Sequence, residues 1–244
     1  MLKIDVIGSG SSGNCYLIST DNETLVIECG VKKKDFLNAI NYNTRGIVGC
    51  LISHEHSDHS GALRDFIKYG FPIMASEAVF ERLNQVYKVP VKKIYRNRIA
   101  SVGGFQIVPF KVPHNETECD GFYIKHSKIG NILFITDAEM CPYNMSKMDI
   151  NYALIECNYS EKYVDLNAPK TRHILAGHMS LNTCKNLIKS LDTGSLKSVG
   201  LIHLSKDNSD PDEFLAEVQS VFNGNVWIAN RGFSINFEGG KNGN

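Results

Sequence analysis

Ser53-His54-Glu55-His56-Ser57-Asp58-His59-Ser60-Gly61 is the stretch on which the reading of this chain turns. It places four metal-ligating side chains, His54, His56, Asp58 and His59, in the order H-x-H-x-D-H. Two histidines at alternate positions point the same way on extended backbone. Asp58 and His59 then aim toward a second position as the chain turns helical. Upstream, Ile47-Val48-Gly49-Cys50-Leu51-Ile52 reads as a buried strand, and downstream Ala62, Leu63, Phe66 and Ile67 recur at helical spacing. The cluster therefore sits on a strand-to-helix turn. Imidazole and carboxylate together suit zinc or manganese, and the lack of thiolates argues against a closed structural zinc site.

The rest of the composition narrows the setting. Lys and Arg number 26, as do Asp and Glu, so the net charge is zero and there is no basic surplus of the kind a long polyanion attracts. The runs Lys32-Lys33-Lys34 and Lys92-Lys93 read as solvated surface. Seven cysteines without a C-x-x-C pair fit reduced thiols and a cytoplasmic setting. No apolar run approaches membrane length, and the chain starts on a strand instead of a signal peptide, so no membrane partner is expected. One domain over residues 1–238 is expected, with a loose tail at 239–244.

Along the chain, Leu2 to Ile7 reads as a strand running into Gly8-Ser9-Gly10-Ser11-Ser12-Gly13. This matches G-x-G-x-x-G, but the dinucleotide fingerprint needs a helix next, and Cys15 to Ser19 is another strand. The glycines make a tight hairpin, either a turn and nothing more or one whose amides and hydroxyls face the metal centre. Further strands are expected at Thr24–Glu28, Pro72–Ala75, Phe105–Val112, Gly121–Lys125, Asn131–Ile135, Tyr152–Glu156, Val199–His203, Val226–Ala229 and Phe233–Phe237. Helices are expected at Lys32–Tyr42, from a Ser76 cap to Tyr87, at Leu181–Leu191, and at Pro211–Phe222 behind Ser209-Asp210. Residue pattern alone supports an α/β fold.

A two-metal site needs more ligands than the first turn supplies, and strand ends later in the chain offer them. His114 follows Val112-Pro113, Asp137 follows Phe134-Ile135-Thr136, and His203 follows Leu201-Ile202. His126 and His173 read as surface or supporting residues instead of ligands.

The H-x-H-x-D-H turn resembles that of the metallo-β-lactamase superfamily. The resemblance implies an αββα sandwich of two mixed β-sheets flanked by helices, with two divalent ions, zinc or manganese, as cofactors. It further implies that His54, His56 and His114 hold one ion, that Asp58, His59 and His203 hold the other, and that Asp137 bridges. Ions in such centres lie about 3.5–4 Å apart and activate water. Glu156, in Leu154-Ile155-Glu156-Cys157-Asn158, and His178, in Gly177-His178-Met179-Ser180, add a carboxylate that can orient an imidazole as a general acid. The tRNA-maturing branch, RNase Z, has a similar pair. Asp58, Glu156 and His178 are the expected catalytic residues.

Ser9-Gly10-Ser11-Ser12-Gly13-Asn14, Gly177-His178-Met179-Ser180 and His203-Leu204-Ser205 carry a narrower resemblance. They are similar to the WalJ (YycJ) type of small metallo-hydrolase and to phage anti-Pycsar phosphodiesterases, which destroy cyclic nucleotide signals of bacterial immunity. Two positions depart from that pattern: Glu28 stands where an aspartate is usual, and Ala138-Glu139 replaces a threonine-glycine pair after Asp137. The resemblance implies a substrate that is a cyclic mononucleotide such as cCMP, cUMP, cAMP or cGMP, contacted by Ser11, Ser12, Asn14 and Ser205. The alternatives are a DNA or RNA nuclease, with nucleic acid as partner, and a non-catalytic metal protein. A shallow metal site on a small domain is often walled by a neighbouring subunit, so a homodimer is a further expectation.

Overall fold

The computed structural model describes residues 1–88, 90–165, 167–169 and 171–237; the tail expected at 239–244 lies outside them. The chain begins with three strands, β1 (Leu2–Gly8), β2 (Cys15–Ser19) and β3 (Thr24–Ile27), then helix α1 (Lys33–Ala39) and strand β4 (Ile47–Leu51). The histidine-rich turn follows as the short helix α2 (Ser57–Ser60), then α3 (Leu63–Lys68), β5 (Ile73–Ser76), α4 (Glu77–Tyr87) and β6 (Lys92–Ile94). The second half comprises β7 (Ala100–Val102), β8 (Phe105–His114), β9 (Thr117–His126), β10 (Gly130–Ile135), β11 (Tyr152–Glu156), α5 (Thr171–Gly177) and α6 (Leu181–Leu191). It closes with β12 (Ser198–Ile202), α7 (Pro211–Gln219), β13 (Asn225–Ile228) and β14 (Ser234–Phe237).

The strands form two seven-stranded sheets, ordered β14-β1-β2-β3-β4-β5-β6 and β13-β12-β11-β10-β9-β8-β7. Each is mixed. In the first, β3 to β6 run parallel and β14, β1, β2 and β3 pair antiparallel. In the second, β10 to β13 are parallel and β7 to β10 antiparallel.

Period-two alternation explains why the sheets stack. On β3, Leu25 and Ile27 face the inner core shared with the other sheet, and Val26 faces outward toward Phe36, Phe66, Val79 and Leu83. On β10, Ile132 and Phe134 enter the same inner core, while Leu133 and Ile135 face the helices α6 and α7 through Ile188, Leu191, Phe214 and Val218. Burial on both faces is why these strands are apolar throughout, and the four layers are helix, sheet, sheet, helix. The helix caps follow their side chains: Ser76 accepts from Val79 N, Ser180 from Thr183 N, and Asp210 from the amides of Asp212 and Glu213.

Three elements carry no period in the sequence and were not expected: the three-residue strands β6 and β7 at sheet edges, and α5. Lys92 and Lys93 accordingly lie on an edge strand, where Lys93 pairs with Glu77 and Glu81. Helix α1 ends at Ala39, short of the expected Tyr42, because Asn41 and Tyr42 take positive φ.

Candidate metal centre

The expected ligands follow the carboxyl ends of strands, with Asp58 and His59 carried a little further, on α2. β4 leads into His54 and His56, β8 ends on His114, β10 is followed by Asp137, β11 ends on Glu156, and β12 is followed by His203. Open α/β sheets gather ligand sites at this end of their strands. Asp137 and His203 both adopt positive φ, at 45° and 54°, which turns their side chains back over the sheet ends.

The donor atoms converge. His54 Nε2 lies 3.0 Å from His56 Nδ1, and His114 Nε2 lies 3.3 Å from the same atom. Asp137 Oδ2 is 3.5 Å from His54 Nε2, 3.6 Å from His114 Nε2 and 3.4 Å from His59 Nε2. A single carboxylate oxygen thus faces ligands of both groups. On the other side, Asp58 Oδ2 is 3.4 Å from His59 Nε2 and 3.6 Å from His203 Nε2. Donors at about 2.0–2.2 Å from a tetrahedral ion stand some 3.3 Å apart, so these spacings fit an ion in each group. His203 Nε2 is buried without a partner among the described residues, as expected of a nitrogen whose partner is a cation.

Contacts behind the rings orient them. His114 Nδ1 donates to Gly177 O at 2.6 Å, which leaves its Nε2 lone pair for the centre, and Ser53 Oγ lies 2.9 Å from His54 Nδ1. Glu28, itself at φ 66°, accepts from the Ser53 amide and stands 3.6 Å from His59 Nδ1. Burial pushes the Glu28 carboxyl up, lowers the pKa of His114 and drives His54 well toward the neutral form. Burial works against protonation of His203 too, but Asp137, Asp58 and Glu156 outweigh it and raise that pKa to about 10. His59 is raised in the same way, chiefly by Asp137. A proton and a divalent cation compete for such lone pairs.

Glu156 is the hub on the second sheet. Its Oε1 accepts from His178 Nδ1 at 2.7 Å and lies 3.1 Å from His203 Nδ1; its Oε2 accepts from the amides of Ala138 and Met179. Burial pushes its pKa up, but His178 pulls it below the ordinary value, and Glu156 in turn overcomes burial to raise that of His178. The exposed edge of His178 faces a cavity of about 330 Å3 that reaches His56, Asp58, His114, Asp137 and His203. His173 lies on its rim, outside the ligand groups.

The expected substrate contacts divide. Ser11 and Ser205 line the cavity, and Ser12 does not. Asn14 requires correction: it is fully buried, its Oδ1 accepting from Gly10 N and Tyr16 OH and its Nδ2 lying 3.0 Å from His59 Nε2 and 3.3 Å from Asp58 O. It braces ligands and cannot reach a substrate. Ser9 braces His203 by accepting from its amide at 2.8 Å. His126 lies outside the ligand groups; it is buried at the far end of β9, 2.9 Å from Glu23 in the turn between β2 and β3. Sequence reading passed over Ser9, and Asn158, whose Nδ2 donates to His203 O at 2.8 Å. The signal for Asn158 was its place two residues beyond Glu156, at a strand end beside β12.

The family profile described as Anti-Pycsar protein Apyc1 matches residues 2–71. Exodeoxyribonuclease YycJ of Bacillus anthracis is 26% identical over 223 residues, covering 85% of this chain and 84% of that protein. Anti-Pycsar protein Apyc1 of Paenibacillus xerothermodurans is 35% identical over 83 residues, 30% of this chain and 33% of its own. Among solved structures, the metallo-β-lactamase fold protein YhfI from Bacillus subtilis superposes with a TM-score of 0.75 at 22% identity, covering 96% of this chain and 98% of YhfI. Two helix-flanked mixed sheets, a histidine and aspartate cluster at their strand ends and these similarities lead to one conclusion: the chain has the metallo-β-lactamase fold and is similar in sequence to the YycJ and anti-Pycsar proteins.

Proposed function

We propose that this protein is a phosphodiesterase that opens cyclic mononucleotides to linear nucleotides. The observation that carries the reading is the Glu156–His178 pair, 2.7 Å apart, on the wall of a cavity of about 330 Å3 above the ligand cluster. That volume lies at the small end of ligand pockets, the size for one nucleotide. Similarity to anti-Pycsar proteins over the first part of the chain supports the same substrate class.

In this reading His54, His56, His114 and Asp137 would hold one divalent ion and Asp58, His59, His203 and Asp137 the other, with zinc or manganese as the metals. Bound ions would neutralise phosphodiester charge and activate water. The chain supplies the remaining steps. Asp58, partly exposed to the cavity, orients the attacking water. Glu156 keeps the proton on His178 Nδ1, so His178 Nε2–H is the group that faces the departing ribose oxygen and gives it a proton. An amine leaving group has less need of such a donor than an alkoxide, which favours phosphodiester over lactam. Action in a host cytoplasm against cyclic nucleotide immune signals, and a homodimer, belong to the same reading.

Similarity to an exodeoxyribonuclease over 85% of the chain favours a second reading, a DNA or RNA nuclease. One experiment separates them. Metal-loaded protein is incubated with a panel of cyclic mononucleotides beside single- and double-stranded DNA and RNA. Hydrolysis of the cyclic nucleotides is the expected result; cleavage of polymers alone would overturn the proposal in favour of the nuclease.

A further inference from the structure

The segment that follows His203 also lines the cavity. Ser205, Lys206 and Asn208 line it. The Ser205 hydroxyl accepts two hydrogen bonds from one residue, Asn208: from its backbone amide at 3.2 Å and from its side-chain Nδ2 at 3.2 Å. A serine hydroxyl has two lone pairs and one proton. Both lone pairs are occupied, and among the described residues the proton has no acceptor. Ser205 is thereby restricted to donating, and the cavity is where an acceptor would come from.

The segment is held for this task. Ser205 N donates to Asn158 O at 2.9 Å, Ser160 N donates to Asn208 O at 3.0 Å, and Ser209 Oγ donates to Ser205 O at 2.5 Å. Asn158 also grips His203 O, so the segment is tied to a ligand of the centre. Donors fixed before the substrate arrives need no reorganisation when it binds. Lys206 adds a positive charge on the same segment; Asp207 beside it lines the cavity too and offsets that charge at long range. Specificity for an anionic oxygen therefore rests on the directed O–H and not on net charge.

We infer that Ser205, set by Asn208, is a donor clamp for a non-bridging phosphoryl oxygen of the substrate. The inference rests on the phosphodiesterase reading and adds to the expected Ser205 contact the substrate atom it meets and a positioning residue, Asn208, which directs the Ser205 proton.

The test uses the manganese-loaded full chain and the chromogenic diester bis(p-nitrophenyl) phosphate. A hydrogen bond to a charged oxygen is strong enough that Ser205→Ala should raise KM about tenfold while kcat changes little. Ser205→Thr, which keeps the hydroxyl, should restore KM. Asn208→Ala should raise KM in the same way, and the double variant should be no worse than Ser205→Ala alone, because both act on one proton. Asn208→Asp, which offers Ser205 an acceptor in place of a donor, should be at least as damaging as Asn208→Ala. Unchanged KM in Ser205→Ala, or additive losses in the double variant, would overturn the clamp. Should the wild type hydrolyse no phosphodiester, the functional reading falls. Inorganic phosphate binding by calorimetry then decides the clamp separately: about tenfold weaker binding in Ser205→Ala sustains it, and equal binding refutes it.

Discussion

The two halves of the centre are made in opposite ways. The first sheet delivers His54, His56, Asp58 and His59 from one turn after β4, so a single local conformation sets four ligands. The second delivers His114, Asp137, Glu156 and His203 from four separate strand ends, so their positions depend on the register of a whole sheet. The local half is rigid because other segments press on it. A Cβ on Gly30 would stand 1.6 Å from Asp58 O, and one on Gly13 2.6 Å from Gly30 O. The hairpin, the turn after β3 and the ligand turn are thus in backbone contact. The distributed half is rigid because Glu156 ties Ala138, His178, Met179 and His203 to one carboxylate.

Asp137 is where the halves meet, and its loss should have the largest effect. In Asp137→Ala the oxygen facing both ligand groups is gone. Bound metal should fall from about two ions per chain to less than about one, and turnover to background. Elemental analysis of the purified variant beside its kinetics is the check; two ions retained would show that the halves bind independently.

His178→Ala comes next and separates chemistry from assembly. Turnover should fall by about 10²–10⁴ with metal content unchanged. Metal loss of equal size would make His178 part of the ligand set, a role that its place with Asp137, Glu156 and His203 makes testable.

Gly30→Ala attacks the local half without touching a ligand. The new methyl has only backbone to push against, so the ligand turn must move. Overpacking of this kind costs about 3 kcal/mol, or roughly 6–12 °C in Tm for a chain of this size. An unchanged Tm would show that the turn yields more easily than its contacts imply. Asn14→Ala should be milder. It strips a partner from Gly10 N and Tyr16 OH, costing about 2 kcal/mol. It should also weaken metal binding 10–100-fold at the Asp58–His59 position alone, a difference that a two-step metal titration resolves.

The same contrast explains what could be read from the sequence. The local half was legible because its ligands share one short spacing. The late ligands were legible as polar residues ending apolar runs, but their convergence was not: it depends on the register of the second sheet, Ile135 opposite Ile155 and Leu154 opposite Gly200. Residue pattern stopped at α/β, and the division into two sheets came from resemblance. Asn14 was misread because a turn sequence does not say which face a side chain takes. The burial of His126 was not legible because its partner, Glu23, comes from the turn between β2 and β3. Strands β6 and β7 are too short to show alternation.

The smallest expected effect lies in the β8–β9 hairpin that carries His114, where one guanidinium serves two carboxylates. Arg96 Nη1 donates to Glu118 at 2.7 Å and Arg96 Nε to Asp120 at 2.5 Å, with Lys111 3.0 Å from Glu118. Burial raises both acids, but it loses to Arg96 and Lys111 at Glu118, whose pKa ends below the ordinary value, and wins at the more deeply buried Asp120, whose pKa ends above it. The two therefore oppose each other in stability. Glu118 contributes stability above its unfolded pKa and loses it as pH falls through the lower folded value, because the unfolded chain takes up the proton first. Asp120 has the opposite slope. Glu118→Gln should lower stability at pH 7 by no more than about 1 kcal/mol, since the group is partly exposed. That deficit should shrink as the pH falls through the folded pKa of Glu118, leaving the variant with the Asp120 slope alone. Urea unfolding of both proteins between neutral and acid pH measures it. A deficit that stays constant would mean that the hairpin, and with it His114, is held by packing and not by this charge pair.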